Sequence, residues 1–197
     1  MRRIVVTGGP GAGKTASIEM AKRALCEHVG FAPESATIVF GGGFPREPRA
    51  HSERAAQRAI FRVQHELESL FEGHRELQAL VCDRGSIDCA AYWPGSEDDF
   101  LRQLGTTREA ELARYALVIH LRPPLDGDGY ENRGLRIETA SESRRIDARI
   151  ERAWRGHPHR VFVDHTHDFM TKVSHVLSLV EADLSCGHPP RVGRHVA

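Results

Sequence analysis

Excess charge is the first feature that this sequence lacks, because 27 lysine and arginine residues balance 27 aspartate and glutamate residues. No net field draws such a molecule to nucleic acid or to an acidic membrane, and we expect neither as a partner. The sequence also lacks the run of roughly 18 apolar residues that a membrane span requires. Its first apolar run begins at Ile4, which leaves no room for a secretory signal. We therefore predict no stable membrane insertion and a cytoplasmic location.

Cysteine is scarce, and none of its four positions forms a C-x-x-C pair: Cys26, Cys82, Cys89 and Cys186. This spacing favours reduced thiols over a disulfide framework or a zinc site. Two histidine pairs, His157 with His159 and His165 with His167, resemble metal-ligand spacings. Neither pair has a cysteine or a helical i, i+4 partner, so we do not expect zinc. Trp93 and Trp154 are interpreted as packing residues.

The chain alternates short β-branched runs with longer helical periods, which is typical of an α/β fold with a mostly parallel sheet. Five strands are predicted at residues 4–6, 37–40, 79–82, 117–121 and 160–163. Core-facing helical stripes are predicted through Ile18, Ala21, Leu25 and Val29, and through Ala56, Ile60, Val63, Leu67 and Leu70. A chain of 197 residues suits one domain, which we place at residues 1–185. Residues 186–197 lose all periodicity, and we expect them to fray.

A glycine-rich string between the first predicted strand and the first predicted helix satisfies G-x-x-x-x-G-K-[ST] at every constrained position. Its glycines let the backbone curl so that successive N–H groups point at phosphate oxygens. The lysine adds a positive charge, the helix start adds its dipole, and the threonine hydroxyl can ligate Mg²⁺. The predicted nucleotide-binding residues are Gly8, Gly9, Pro10, Gly11, Ala12, Gly13, Lys14, Thr15 and Ala16.

A second charged element, Asp83-Arg84, stands where the third predicted strand ends. Ligands of open parallel sheets bind at the carboxyl ends of the strands, so this pair should emerge near the glycine-rich string. Asp83 could hold Mg²⁺ through water, or it could accept a proton from an attacking hydroxyl. Arg84 could neutralise a transferring phosphoryl group or hold a substrate phosphate. An ordinary ion pair at the end of a strand is the alternative.

Together these motifs resemble the P-loop kinases of the nucleoside and nucleotide kinase group. The sequence is most similar to the AAA-type domain family that includes the ribosylnicotinamide kinase module of bifunctional NAD regulators. Arg46-Glu47-Pro48 also resembles the acceptor-facing segment of thymidylate kinases, which implies that Arg46 and Glu47 bind the acceptor. Gly85 stands where thymidylate kinases usually have an aromatic residue. The resemblance implies a P-loop NTPase fold whose parallel sheet has the order 2-3-1-4-5, flanked by helices.

A mobile lid is predicted after the fourth strand, because Pro123-Pro124 ends the strand and residues 126–129 are too flexible to pack. Arginines in and after this loop could steady charge on the γ-phosphoryl group. The resemblance favours Arg136 for this role, and a solvated helix face remains the alternative for Arg133, Arg144 and Arg145. In related kinases the nucleotide base rests after the fifth strand, so His165 or His167 could stack on it.

Two functional hypotheses follow from these residues. The leading one is a phosphotransferase that binds ATP or GTP with Mg²⁺ held by Thr15 and Asp83, and that uses Lys14, Asp83, Arg84 and Arg136 in catalysis. Its acceptor would be a small nucleoside-like or nucleotide-like molecule. The rival is a nucleotide-dependent switch that binds a protein or lipid through the basic residues Arg46, Arg49, His51 and Arg54. A mechanical ring ATPase is disfavoured, because the chain looks too short for an added helical lid domain.

Overall fold

Five parallel strands form a single sheet in the order β2-β3-β1-β4-β5, as predicted. The computed structural model describes residues 1–124, 140–165 and 168–184. The strands are β1 (Arg2–Thr7), β2 (Val29–Ala32), β3 (Ala79–Asp83), β4 (Leu117–Leu121) and β5 (Arg160–Val163). Because all five run in the same direction, their carboxyl ends meet at one edge of the sheet, which is where open parallel sheets bind ligands.

Eight helices lie between and after these strands in the described residues: α1 (Lys14–Ala24), α2 (Ser35–Gly41), α3 (Ala50–Glu72), α4 (Cys89–Tyr92), α5 (Glu97–Leu104), α6 (Arg108–Ala113), α7 (Ala140–Ala153) and α8 (Phe169–Asp183). A short 3₁₀ turn at Ser86–Asp88 precedes α4. None of the helices described is long and apolar enough to cross a membrane.

The sheet separates two apolar clusters, and alternate residues of β1 point into each of them. Ile4 and Val6 join the cluster that includes residues of α1 and α8, whereas Val5 joins the cluster beneath α3 to α7. This alternation is the period of two that a strand buried on both faces requires. Trp93 and Trp154 are fully buried in the second cluster, which confirms their interpretation as packing residues.

The predicted second strand at residues 37–40 is wrong, because these residues belong to helix α2. The true second strand, β2, begins at Val29, which the sequence pattern had assigned to the stripe of α1. A four-residue apolar run does not distinguish strand from helix, and the glycine inside β2 weakens its signal. That glycine is required by packing, since a Cβ at Gly30 would lie 2.9 Å from the Leu77 side chain.

The long helix α3 also departs from its predicted stripe in its second half. Ala56 and Ile60 are buried as expected, but Leu70 is 64% exposed. Polar side chains occupy buried positions instead, among them Gln64 and Glu68. Glu68 accepts hydrogen bonds of 2.7 Å from the Tyr115 hydroxyl and 2.9 Å from the Gln64 amide, so this part of α3 faces a buried polar network.

Candidate active site

The glycine-rich string at residues 8–15 leads from the end of β1 into the first turn of α1. This tight segment is hereafter called the phosphate loop. Three of its glycines, Gly8, Gly11 and Gly13, have a positive φ, which a larger residue adopts only with strain. Gly8 has a φ of 129°, and a Cβ there would lie 2.1 Å from the Leu121 carbonyl oxygen. Gly13 has a φ of 89° and immediately precedes the first residue of α1. The strand, loop and helix therefore follow one another as the sequence motif requires.

Lys14 is buried inside this loop, with its ammonium group on two backbone carbonyls. Its Nζ donates hydrogen bonds of 2.9 Å to the carbonyl oxygens of Gly8 and of Gly9. Burial, with the positive charge of Arg84, lowers the pKa of Lys14 to about 7 against the opposing effect of Asp83. A buried ammonium whose hydrogen-bond partners are neutral is stabilised by any anion that comes close.

Asp83 ends β3 beside the phosphate loop, as the sequence predicts. Its Oδ2 accepts a hydrogen bond of 3.4 Å from the Thr15 hydroxyl. Its Oδ1 is buried and has no hydrogen-bond partner among the described residues. Burial above all raises the pKa of Asp83. An orphaned carboxylate oxygen next to a hydroxyl is the hard oxygen donor set that Mg²⁺ prefers, so these two residues fit a magnesium ion.

Arg84 has a left-handed backbone, with a φ of 75°, and no other non-glycine residue that the structure describes shares a positive φ. Such strain in a non-glycine residue clusters at functional sites. Its guanidinium group is largely buried and donates through Nη1 to the Gly8 carbonyl oxygen at 3.3 Å. Burial alone would lower the pKa of Arg84, but the nearby Tyr92 and Glu34 raise it.

Glu34 is the main partner of Arg84, and the sequence analysis missed it. The Arg84 Nε donates to Glu34 Oε1 at 2.6 Å, and the Thr37 hydroxyl donates to Glu34 Oε2 at 2.6 Å. Burial would raise the pKa of Glu34, yet the charge of Arg84 and these hydrogen bonds lower it to about 2. Glu34 follows the carboxyl end of β2, so placing the second strand correctly would have identified it.

The turn after Arg84 is packed against Trp154, which directly follows α7. A Cβ at Gly85 would lie 2.6 Å from the indole, so no larger side chain fits there. The indole Nε1 donates to Asp88 Oδ1 at 2.6 Å, and the Thr7 hydroxyl lies 2.8 Å from both carboxylate oxygens of Asp88. The space beside Gly85 is thus filled by the indole of Trp154.

Comparison with known proteins identifies the family of this chain. The chain matches the AAA domain family over residues 3–172, which is most of its length. It is a member of that family. No curated protein sequence matches the chain.

Several solved structures share the fold of this AAA domain. A structure of NadR protein in complex with NR has a TM-score of 0.71 and 20% identity, covering 98% of this chain and 54% of that one. A second, of NadR in complex with NAD and AMP-PNP, has a TM-score of 0.67 and 17% identity, covering 92% and 49%. The chain thus spans about half the length of these NadR chains. Thymidylate kinase from Candida albicans has a TM-score of 0.56 and 13% identity, covering 92% of each chain.

Arg46 and Glu47 of this AAA domain lie in the exposed connection between α2 and α3 and make local contacts. The Arg46 guanidinium stands 4.1 Å from the centre of the Phe40 ring, and Glu47 accepts a hydrogen bond of 2.9 Å from Ser52. Within the described residues, none of these contacts reaches Asp83 or Arg84. Their acceptor-binding role stays a prediction.

Much of the predicted lid falls outside the described residues, including residues 126–129, Arg133 and Arg136, as do His167 and residues 186–197. Arg144 and Arg145 lie in the first half of α7. Arg149, one turn further on, donates to the Trp93 carbonyl oxygen at 2.8 Å. Burial, together with the charges of Arg145 and Arg152, lowers the pKa of Arg149.

Two more residues beside the phosphate loop were missed by sequence analysis. Asp147 of α7 accepts a hydrogen bond of 2.7 Å from the Gly9 backbone N–H. Phe169 begins α8, is 41% exposed, and its ring would lie 3.3 Å from a Cβ at Gly13. Neither residue belongs to a recognisable motif. Both lie far from the loop in the sequence, and only the fold brings their helices next to it.

Proposed function

We propose that this AAA domain is a Mg²⁺-dependent phosphotransferase that moves the γ-phosphoryl group of ATP or GTP to a small nucleoside-like or nucleotide-like acceptor. The observation that carries the proposal is the pair formed by Arg84 and Glu34, largely buried beside the phosphate loop. A nucleotide switch or a simple hydrolase needs the loop and its metal ligands. A charged pair at the ends of two neighbouring strands adds a carboxylate and a guanidinium group that can bind the polar groups of a second substrate.

The nucleotide phosphates would be held by the backbone N–H groups of the phosphate loop and by Lys14. Thr15 and Asp83 would hold Mg²⁺, which neutralises charge on the β- and γ-phosphates when bound. Arg84 reaches the loop through the Gly8 carbonyl oxygen, so its guanidinium lies where charge on the transferring group can be stabilised. Arg136, which is outside the described residues, is proposed to act on the same group.

The acceptor would lie on the Glu34 side of Arg84. In the reaction, a bond forms between the acceptor oxygen and the γ-phosphorus while the bond from that phosphorus to the β,γ-bridging oxygen breaks. If the acceptor group is a hydroxyl, its proton passes to water or to a carboxylate. Asp83 is that carboxylate only if it holds Mg²⁺ through water, because a cation bound directly to it lowers its basicity. Positioning and charge supply most of the rate in such transfers.

The acceptor class is supported by the proteins that share the fold. The NadR structures were solved with NR in one case and with NAD and AMP-PNP in the other, and the third protein is a thymidylate kinase. These proteins are remote in sequence, so they support the class of acceptor and not its identity.

A turnover assay with a panel of acceptors tests the proposal. Purified protein receives γ-labelled ATP or GTP and Mg²⁺, with one nucleoside or nucleotide at a time, and labelled products are separated. We expect label on at least one acceptor, lost in K14A and strongly reduced in D83N. Release of labelled inorganic phosphate at the same rate with every acceptor, and with none, would contradict a transferase.

The switch hypothesis keeps one supporting observation, which is the exposure of the basic side chains Arg46, Arg49 and His51. It predicts that a protein or lipid partner is bound with ATP or GTP and released without it. Such binding, found together with no phosphorylated small molecule, would replace the phosphotransferase.

A further inference from the structure

We propose that Asp147 is a positioning residue that fixes the orientation of the Gly8–Gly9 peptide and, through it, the two cations of the active site. The inference rests on the proposed function only for nucleotide binding, and it does not depend on the acceptor. The C=O and N–H groups of this one peptide in the phosphate loop have different partners.

The carbonyl end of this peptide points at the cations. The Gly8 oxygen accepts hydrogen bonds from Lys14 Nζ at 2.9 Å and from Arg84 Nη1 at 3.3 Å. In a trans peptide the C=O and N–H groups point in opposite directions, so the Gly9 N–H must face away from both cations. It donates there to Asp147 Oδ1 at 2.7 Å. The peptide plane is therefore held from both sides.

Helix α7 is fitted closely to the loop at this point. A Cβ at Gly9 would lie 2.9 Å from the Asp147 Cβ and 2.9 Å from the Ser143 carbonyl oxygen. One turn before Asp147, the Ser143 hydroxyl donates to the Pro10 carbonyl oxygen. Both side chains are buried. Two residues at helical i, i+4 spacing thus hold two peptides of the loop, Gly8–Gly9 and Pro10–Gly11.

The Asp147 carboxylate is itself fixed by the end of β4. His120, which is fully buried in that strand, places Nε2 at 2.9 Å from Asp147 Oδ1. Arg122 donates through Nη1 to Asp147 Oδ2 at 3.0 Å. With both oxygens engaged, the carboxylate has little freedom to turn away from Gly9. Charged hydrogen bonds of this kind are about twice as strong as neutral ones.

A flip of the Gly8–Gly9 peptide would withdraw a carbonyl oxygen from Lys14 and Arg84 together. Glycines on both sides make such a flip sterically easy, so the loop needs an external restraint. Asp147 supplies that restraint through its hydrogen bond with the Gly9 N–H. Its removal should therefore weaken nucleotide binding through the placement of Lys14, rather than through a lost contact with the ligand.

Helix α7 also offers a matched control. Glu151 lies one turn after Asp147 and accepts a hydrogen bond of 2.7 Å from the same Nη1 of Arg122. E151Q therefore removes an ion pair from the same helix and the same arginine, while leaving the contact with Gly9 intact. The two acids differ in whether they hold the phosphate loop.

The experiment is calorimetric titration of the full chain with the magnesium complex of AMP-PNP. We expect D147A to raise the Kd about tenfold or more, because a buried charged hydrogen bond is lost. D147N should give a partial rescue, since its amide oxygen can still accept from Gly9, and E151Q should stay within about twofold of wild type. Unfolding free energies of all variants are measured alongside.

Two outcomes would overturn the proposal: a D147A protein within about twofold of wild type, or an E151Q protein weakened as much as D147A. If D147A does not fold, D147N and S143A are the test pair, and each must weaken binding more than E151Q. If AMP-PNP fails to bind even the wild-type chain, the proposed function fails. If it binds and is unaffected by residue 147, only this inference fails.

Discussion

Neutralising Glu34 should destabilise the protein in a way that depends on pH. The pKa of Glu34 falls from an ordinary 4.5 to about 2 in the folded protein. This roughly 2.5-unit difference corresponds to about 3.5 kcal/mol at about 1.4 kcal/mol per unit. The side chain keeps 27% of its surface exposed, so solvent screening reduces the expected contribution to about 1–2 kcal/mol.

The direction of the pH dependence follows from linkage. The folded pKa lies below the unfolded one, so the stabilisation is complete above about pH 4.5 and is lost as the pH falls through 2. E34Q should therefore lose about 1–2 kcal/mol of unfolding free energy at pH 7, and the difference from wild type should shrink at pH 3. Urea denaturation at pH 7, 5 and 3 measures both quantities.

The control for this prediction is E19Q, because Glu19 pairs with Lys22 at an exposed position of α1. Exposed pairs contribute little, so E19Q should change stability by less than about 0.5 kcal/mol at any pH. An E34Q protein as stable as wild type at pH 7 would refute the reasoning. So would a loss of the same size at pH 3 and pH 7, since that would reflect packing rather than charge.

Three further predictions concern the phosphate loop. G8A should lower Tm and abolish ATP binding in calorimetry, because its Cβ would overlap the Leu121 carbonyl oxygen; normal binding would show that the loop adjusts. K14A should weaken Mg-ATP binding at least about a hundredfold while leaving Tm unchanged or higher, since a buried ammonium is costly to fold; a clear fall in Tm would contradict this. F169A should leave the unfolding free energy within about 0.5 kcal/mol but weaken ATP binding severalfold, because its exposed ring lies beside Gly13; equal binding would exclude Phe169 from the nucleotide site.

The parts of this fold that were predicted correctly are those in which local chemistry is decisive. The phosphate loop needs glycine at fixed places, and Asp83 follows a strand buried on both faces, so both were identified from neighbouring residues alone. The strand order came from a family resemblance and not from the residue pattern. Sheet order depends on contacts between distant segments, which periodicity does not contain.

Apart from the misplaced second strand, the errors share one physical cause, which is that burial of polar groups depends on partners far away in the chain. Glu34 was missed because β2 before it was misplaced and its partner Arg84 lies 50 residues away. Gln64 and Glu68 broke the expected apolar stripe of α3 because Tyr115 satisfies Glu68. Asp147 lies 138 residues from the peptide that it holds. No local pattern predicts such pairs.

The indole of Trp154 fills the space beside Gly85, so the side-chain volumes at positions 85 and 154 depend on each other. Any homologue that enlarges residue 85 must shrink residue 154, so the two positions should covary across the family. The Asp88 carboxylate would then lose its indole donor and need a replacement. The packing beneath the turn at Gly85 thus depends on two distant positions, and its shape can change at residue 154 as readily as at residue 85.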